Sequence, residues 1–227
     1  LAALLDPRCA QPYWGCAAAE VQVLRYRPER RATLRFRHAD SRALYAKTYR
    51  EAHARAIQRR FAWVWELSQR EATAPRVARP LHSDDPRHTL WQQAATGTPL
   101  VQCMGAEKTA PWVLPLAHAV AAIHRAPAEL AGPVPRTVAH WLGEVERRRK
   151  KIGRALPELA ERVDATARAI GQTAVHLPTH RATVIHGDFH PDQVWFDGER
   201  IVLFDFDEFT LGDPMEDLAE FVVKLPS

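Results

Sequence analysis

Apolar and polar residues alternate with period two along Glu20–Arg27 (EVQVLRYR) and again along Arg31–His38 (RATLRFRH). That period is the mark of strands with one face covered. Pro28-Glu29-Arg30 separates the two runs, so they predict a β-hairpin. Arg42–Tyr49 (RALYAKTY) predicts a third strand after the turn-like His38-Ala39-Asp40-Ser41. The pattern then changes. Glu51 to Arg70 lacks Pro and Gly and places Ile57, Phe61, Val64 and Trp65 at helical spacing. Two short strands are predicted near Arg76–Pro80 and His88–Ala94, and Thr96-Gly97-Thr98-Pro99 breaks the pattern. Beyond that break the chain turns helical, over Pro111–His124, Val138–Arg154 and Pro157–Ile170. Short apolar strands follow at Ala182–Ile185, Gln193–Phe196 and Arg200–Phe206, the last two flanking the hairpin dipeptide Asp197-Gly198. A final helix is predicted after Asp213-Pro214. The order predicts an α+β protein of two lobes, a β-rich one over residues 1–95 and a helical one over 96–227.

Composition adds little to that picture. The chain has 227 residues, 46% hydrophobic and 26% charged, ordinary for a globular protein and enough for a sizeable core. Its net charge of +4 is too small to imply a nucleic-acid partner by itself. The basic run Glu144–Lys151, with Arg59 and Arg60, is expected to be a solvated helix face. Trp63, Trp65, Trp91, Trp112, Trp141 and Trp195 fall on apolar patterns and are expected in the core. Cys9, Cys16 and Cys103 have no paired or metal-ligand spacing, which points to a reducing, cytoplasmic setting. The longest apolar stretch, Ala110–Ile123, is too short to span a bilayer and carries two prolines. The chain begins at Leu1 and stops at Leu225-Pro226-Ser227 just after a helical pattern, so both ends are expected to be truncated.

The chemistry concentrates in Val184–Phe206 (VIHGDFHPDQVWFDGERIVLFDF). His186-Gly187-Asp188 follows a strand, Asp205 ends another, and the hairpin between them should bring the two carboxylates together. One carboxylate can take a proton from an attacking hydroxyl while the other holds Mg²⁺ against phosphate oxygens. Phosphoryl transfer needs these parts, because its catalysis is positioning and charge neutralisation.

This segment resembles the catalytic core of the aminoglycoside phosphotransferase and choline kinase group, relatives of the protein kinases. That group carries His-Gly-Asp-x-x-x-x-Asn, a hairpin, and then a metal-binding Asp. Here the run is His186-Gly187-Asp188, four residues, Gln193 and then Asp205. Leu211-Gly212-Asp213-Pro214 and Asp217-Leu218-Ala219 are similar to the segment that commonly follows. The resemblance implies a two-lobed kinase-like fold. It also implies an ATP- or GTP-dependent enzyme that moves the γ-phosphate to a hydroxyl of a small molecule such as an aminoglycoside, choline or a sugar. Asp188 would be the base, Asp205 would hold Mg²⁺ with Gln193 in the place of Asn, and Asp207 is a second metal candidate. His186 would buttress the loop. Lys47, in the third strand, would bind the nucleotide's phosphates; a solvated strand lysine is the plain alternative. By register with Gly97, the backbones of Gln93 and Ala95 would meet the adenine, and Phe204 would pack beneath it or belong to the core. The implied partners are a nucleotide and a small hydroxyl substrate, with no nucleic acid and no membrane.

Two departures stand out. The loop Arg27-Pro28-Glu29-Arg30-Arg31 has none of the glycines that let backbone N–H groups approach phosphate, so arginine side chains could stand in. Gln193 and this loop also admit a second reading, a nucleotide-binding pseudokinase acting as a scaffold or regulator. None of Glu51, Glu66 and Glu71 can be assigned from the sequence as the helix partner of Lys47.

Overall fold

The computed structural model describes residues 2–50, 53–104, 110–132, 134–178 and 181–225. In chain order the elements are α1 (Gln11–Trp14), β1 (Glu20–Arg27), β2 (Arg31–Arg37), β3 (Ala43–Tyr49), α2 (His53–Arg70), β4 (Pro80–Asp84), β5 (Thr89–Gln93), β6 (Thr98–Pro99) and α3 (Leu100–Cys103). They continue with α4 (Val113–His124), α5 (Val138–Ala155), α6 (Ala160–Ala174), β7 (Thr183–Ile185), β8 (Val194–Phe196), β9 (Ile201–Leu203), β10 (Thr210–Gly212) and α7 (Met215–Val223).

The first five strands form one antiparallel sheet in the order β1-β2-β3-β5-β4. Its pleat sorts the side chains onto two faces, because successive residues of a strand point to opposite sides. Ala32, Leu34 and Phe36 of β2, Leu44 and Ala46 of β3 and Trp91 of β5 lie on one face, packed with Leu4, Ala10 and Ala18 of the N-terminal segment. That segment, two 3₁₀ turns followed by α1, has no periodic pattern and is absent from the sequence expectation. The opposite face carries Thr33, Tyr45, Lys47 and Tyr49, and the register sets Lys47 between Thr33 of β2 and Leu90 of β5. Helix α2 partly covers this second face, where Ala54 and Ile57 pack with Tyr49 and Leu90.

The rest is helical around one small hairpin and a two-stranded sheet. β8 and β9 pair across Asp197-Gly198, with Gly198 at φ 100° and Asp197 Oδ1 accepting from the Glu199 and Arg200 amides at 3.0 and 2.8 Å. β6 adds to this hairpin, while β10 pairs with β7. The largest core spans both halves: Phe61 and Val64 of α2 pack with Leu116, Val120 and Ile123 of α4 and with Val184, Leu203, Phe206 and Phe209. α5 and α6 form an antiparallel hairpin with no buried residue in either helix.

Four expectations need correction. The strand expected near Arg76–Pro80 begins at Pro80 instead. Arg76 bonds through its backbone to Ile201 and Leu203, at 2.7 and 2.9 Å, and so ties the sheet half to the β8–β9 hairpin. The strand expected over Arg200–Phe206 stops at Leu203, because Asp205 takes a left-handed backbone at φ 64° that no ladder can continue. Arg60 is 5% exposed rather than solvated. Trp141 is 37% exposed rather than in the core.

Phe36 is fully buried and sits 4.8 Å from the Trp91 ring. Phe36→Ala is expected to lower stability by about 3–5 kcal/mol, the usual loss when a packed aromatic leaves a cavity. The urea midpoint of unfolding checks this.

Candidate active site

A cleft of about 330 Å³ lies between the sheet and the β8–β9 hairpin. Thr33, Tyr45, Lys47, Leu90 and Gln92 line it from the sheet, Ala95 from the connection after β5, and Gln193, Trp195, Phe204, Asp205 and Asp207 from the other side. Of the residues singled out in the sequence, Lys47, Ala95, Gln193, Phe204 and Asp205 meet here. Gln93 is not among the described lining residues, and its N–H donates to the Arg79 carbonyl at 3.0 Å. Phe204 lies edge-on to Trp195, with ring centroids 5.1 Å apart.

Two buried carboxylates dominate the electrostatics. Lys47 Nζ donates to Asp205 at 2.7 Å and to Asp207 at 3.1 Å. Arg31, the first residue of β2, reaches Asp205 at 3.3 Å and also bonds Asp207. The Tyr49 hydroxyl donates to Asp207 at 2.9 Å. Burial alone would raise the pKa of Asp205, but the Lys47 ammonium and the Arg31 guanidinium hold it well below the usual carboxylate range. Burial, with Asp207 and Asp205 close by, pushes the Tyr49 phenol well up, so it serves as a neutral donor. No helix glutamate fills the place opposite Lys47 among the described residues. Glu66 is exposed, Glu71 pairs with Arg125 at 3.2 Å, and Glu51 lies outside the described residues.

Helix α2 contributes an arginine instead. Arg60 Nε donates to the Leu130 carbonyl at 2.9 Å, and Nη1 donates to the carbonyls of Phe206 and Asp207 at 3.3 and 2.6 Å. It pins the backbone that carries both carboxylates. Three residues after Ile57 and four before Val64, Arg60 sits on the apolar stripe of α2, and that position was a readable signal.

Asp188 lies beside this cleft, in a second one lined by Arg27, Arg31, Arg136, Trp141, Glu216 and Lys224 among others. Arg31 lines the second cleft and bonds the Asp205 and Asp207 carboxylates that line the first. Asp188 is part-exposed, with Lys224 Nζ 3.5 Å and His190 Nε2 3.7 Å from its Oδ1. The loop holding Asp188 is built on Asp217, which is 1% exposed. Its Oδ2 accepts from the His186 amide at 2.8 Å and its Oδ1 from the Gly187 amide at 2.9 Å, while His124 Nε2 bonds Oδ2 at 2.9 Å. Burial works against the charge of Asp217, but His124, His186 and the two amides bring its pKa below the ordinary value. Asp217 is therefore an internal anchor. Gly187 has φ 77°, and a Cβ there would overlap the Glu208 carbonyl, so only glycine fits. His186 is buried, its pKa lowered by that burial, and its Nε2–H donates to the Phe204 carbonyl at 3.0 Å. It links the Asp188 loop to the Asp205 segment as a neutral buttress.

The donor set fits a hard divalent cation. Two carboxylates and the Gln193 amide face one cleft, and Mg²⁺ is characteristically held by one or two carboxylates with phosphate oxygens and water. Among the described residues no group of three or more His, Cys, Asp or Glu forms a metal cage.

Asp217→Asn removes an acceptor that two buried amides need. It is expected to destabilise the protein by about 3–5 kcal/mol, the cost of breaking a buried charged pair. The sign for acid follows from the depressed pKa of Asp217. Its contribution is present above the unfolded value near pH 4 and is lost as pH falls through the folded value. The urea midpoint of the parent should therefore drop more steeply below about pH 4 than that of Asp217→Asn.

Over residues 28–226 the sequence matches the profile of the phosphotransferase enzyme family (APH). No curated protein matches the chain. Among solved structures it is similar to a thermostable mutant of aminoglycoside phosphotransferase APH(4)-Ia, with a TM-score of 0.68, 16% identity and coverage of 94% of this chain and 75% of that one. It is also similar to ADP-bound aminoglycoside phosphotransferase APH(2'')-Ib, with a TM-score of 0.62, 15% identity and coverage of 92% and 72%. Macrolide 2'-phosphotransferase MphH from Brachybacterium faecium gives 0.59, 21% identity and coverage of 100% and 79%. At these identities the likeness shows the fold, which is kinase-like, and no more. The profile match runs through the Lys47 strand, the Asp188 loop and Asp205, so the chain belongs to the APH phosphotransferase enzyme family.

Proposed function

We propose that the protein transfers the γ-phosphate of ATP or GTP to a hydroxyl of a small molecule. Residues 1–95 and 96–227 would act as the nucleotide-holding and acceptor-holding lobes. The observation that carries this reading is the Lys47–Asp205 contact of 2.7 Å, which supports a cation for the phosphates and an anion for the metal in one cleft.

The base of the nucleotide would lie between Ala95 and Phe204, where Leu203 and Trp195 add apolar surface. The Ala95 backbone would meet the base. Gln93 would contribute only its carbonyl, since its N–H is committed to the sheet. Lys47 would donate to the α- and β-phosphates, and Arg31 would supply charge that a glycine-rich loop otherwise supplies through backbone N–H groups. Asp205 and Gln193 would hold Mg²⁺, with Asp207 as a further ligand. Bound there, the ion would neutralise charge building on the phosphate oxygens. Asp188 would accept the proton of the acceptor hydroxyl from its part-exposed position at the mouth of the second cleft. Lys224 and His190, both within 4 Å of its carboxylate, would orient it.

Thermal unfolding with ATP and GTP, each with and without Mg²⁺, tests the nucleotide site. A ligand at 100 times its dissociation constant adds about 2.7 kcal/mol, roughly 5–10 °C for a chain of this size. The shift should require Mg²⁺ and should vanish in Asp205→Ala. Asp188→Asn should keep the shift and cut turnover about 10²–10⁴-fold. Undiminished turnover in Asp188→Asn would remove the base from its role. A Mg²⁺-dependent shift without transfer to any of a broad panel of hydroxyl compounds would favour the pseudokinase reading.

A further inference from the structure

The far end of the sheet carries a second cluster of reactive side chains. β2 runs from Arg31, at the cleft, to Arg37, about 20 Å away at some 3.3 Å per residue. The turn after it, His38 to Ser41, faces the segment that follows α1. There Cys16 Sγ lies 3.3 Å from His38 Nε2, and His38 Nδ1 lies 2.7 Å from Asp40 Oδ1. The Asp40 amide also points at Nδ1, from 3.3 Å, but the carboxylate is nearer and charged, so an Nδ1–H would donate to it. A ring protonated at Nδ1 presents its Nε2 lone pair to the thiol.

Each member of the cluster is fixed from outside it. Asp40 is held by Arg42, whose Nε donates at 2.8 Å and whose amide donates at 3.2 Å. The His38 amide donates to the Arg42 carbonyl at 2.8 Å, and the Trp14 ring packs on the imidazole at 5.1 Å in an edge arrangement. Cys16 follows Gly15, whose left-handed φ of 75° ends α1 and turns the chain toward His38.

The other two cysteines have the opposite surroundings. Cys9 donates to the Ala3 carbonyl at 3.3 Å and Cys103 to the Pro99 carbonyl at 3.6 Å, contacts that require the protonated thiol. Burial raises the pKa of Cys9 further. Among the described residues, Cys16 is the one exposed cysteine and the one that faces a base.

We propose that Cys16, His38 and Asp40 form a surface thiol–imidazole–carboxylate relay that makes Cys16 a site of exchange with low-molecular-weight disulfides. The Cys16 sulfur attacks one sulfur of the disulfide RS–SR while His38 Nε2 takes the thiol proton and Asp40 stabilises the imidazolium. The RS–SR bond breaks as the Cys16–SR bond forms, and the departing RS⁻ takes the proton back from His38 to leave as RSH. The balance is one thiol and one disulfide in, one mixed disulfide and one thiol out. The modified site lies on the sheet end remote from the nucleotide cleft and is independent of any phosphotransfer.

The test uses the intact protein and glutathione disulfide at pH 7, with the mixed disulfide at each cysteine quantified by mass after digestion. A free thiol is only a few per cent thiolate at this pH, which limits the gain from a positioned base to about 30-fold. Cys16 is expected to react about tenfold faster than Cys103. His38→Gln is expected to slow Cys16 by about tenfold and leave Cys103 unchanged, which separates activation from mere exposure. Asp40→Asn keeps the ring and its packing and should slow Cys16 several-fold. A Cys16 rate equal to that of Cys103 in the parent, or one unchanged by His38→Gln, overturns the relay. An unchanged rate in Asp40→Asn removes the carboxylate from it and likewise overturns it as proposed.

Discussion

Two carboxylates, Asp205 and Asp207, are taken out of water where the sheet meets the helical half, and both must be compensated there. An unpaired buried charge is far too costly to keep. Lys47 and Arg31 from the sheet and Tyr49 from the end of β3 supply that compensation. The charges therefore do two jobs: they assemble the site, and they join the two parts of the chain that form it. Arg60 completes the arrangement from α2 by binding carbonyls and not carboxylates, so it fixes the backbone without competing for the acid groups.

A third acid, Asp217, works differently. Asp217 has no role toward solvent, yet it orders the turn that presents Asp188 by accepting from two successive amides and from His124. His186 then passes that order across to Phe204, next to Asp205. The loop bearing the proposed base and the segment bearing the proposed metal ligand are thus coupled through one neutral imidazole. Gly187 makes the turn possible, because a side chain there would collide with the Glu208 carbonyl.

The departures from the family pattern have physical counterparts. The loop between β1 and β2 has no glycine, and at its end an arginine side chain reaches the acid pair that a nucleotide's metal would share. Among the described residues no helix glutamate pairs with Lys47, which pairs with Asp205 and Asp207. Gln193 keeps an amide oxygen in the cleft, on a stem one methylene longer than the Asn of the family.

The sequence by itself determined the local elements wherever periodicity or turn chemistry was strong. The β1–β2 hairpin, β3, α4, α5 and the Asp197-Gly198 turn fall within a few residues of their expected places. The ordered run from Asp188 through Gln193 to Asp205, with Lys47 upstream, was legible as a resemblance to the family the chain belongs to, and folding brings Lys47, Gln193 and Asp205 to one cleft. What only the tertiary structure decided was which charges are buried and against what. Arg60 lies on the apolar stripe of α2, which marks it for burial, but only packing decided that its guanidinium binds the carbonyls beside the acid pair. Asp217 stands in a run that resembles the family segment, but only the fold shows that it is buried beneath the Asp188 loop and accepts from its amides. The N-terminal segment carries no pattern, since it gains its structure only by covering Leu34, Phe36 and Trp91. Arg31 and Asp205 stand 174 residues apart, and no local signal can report a contact made by the folding of the whole chain.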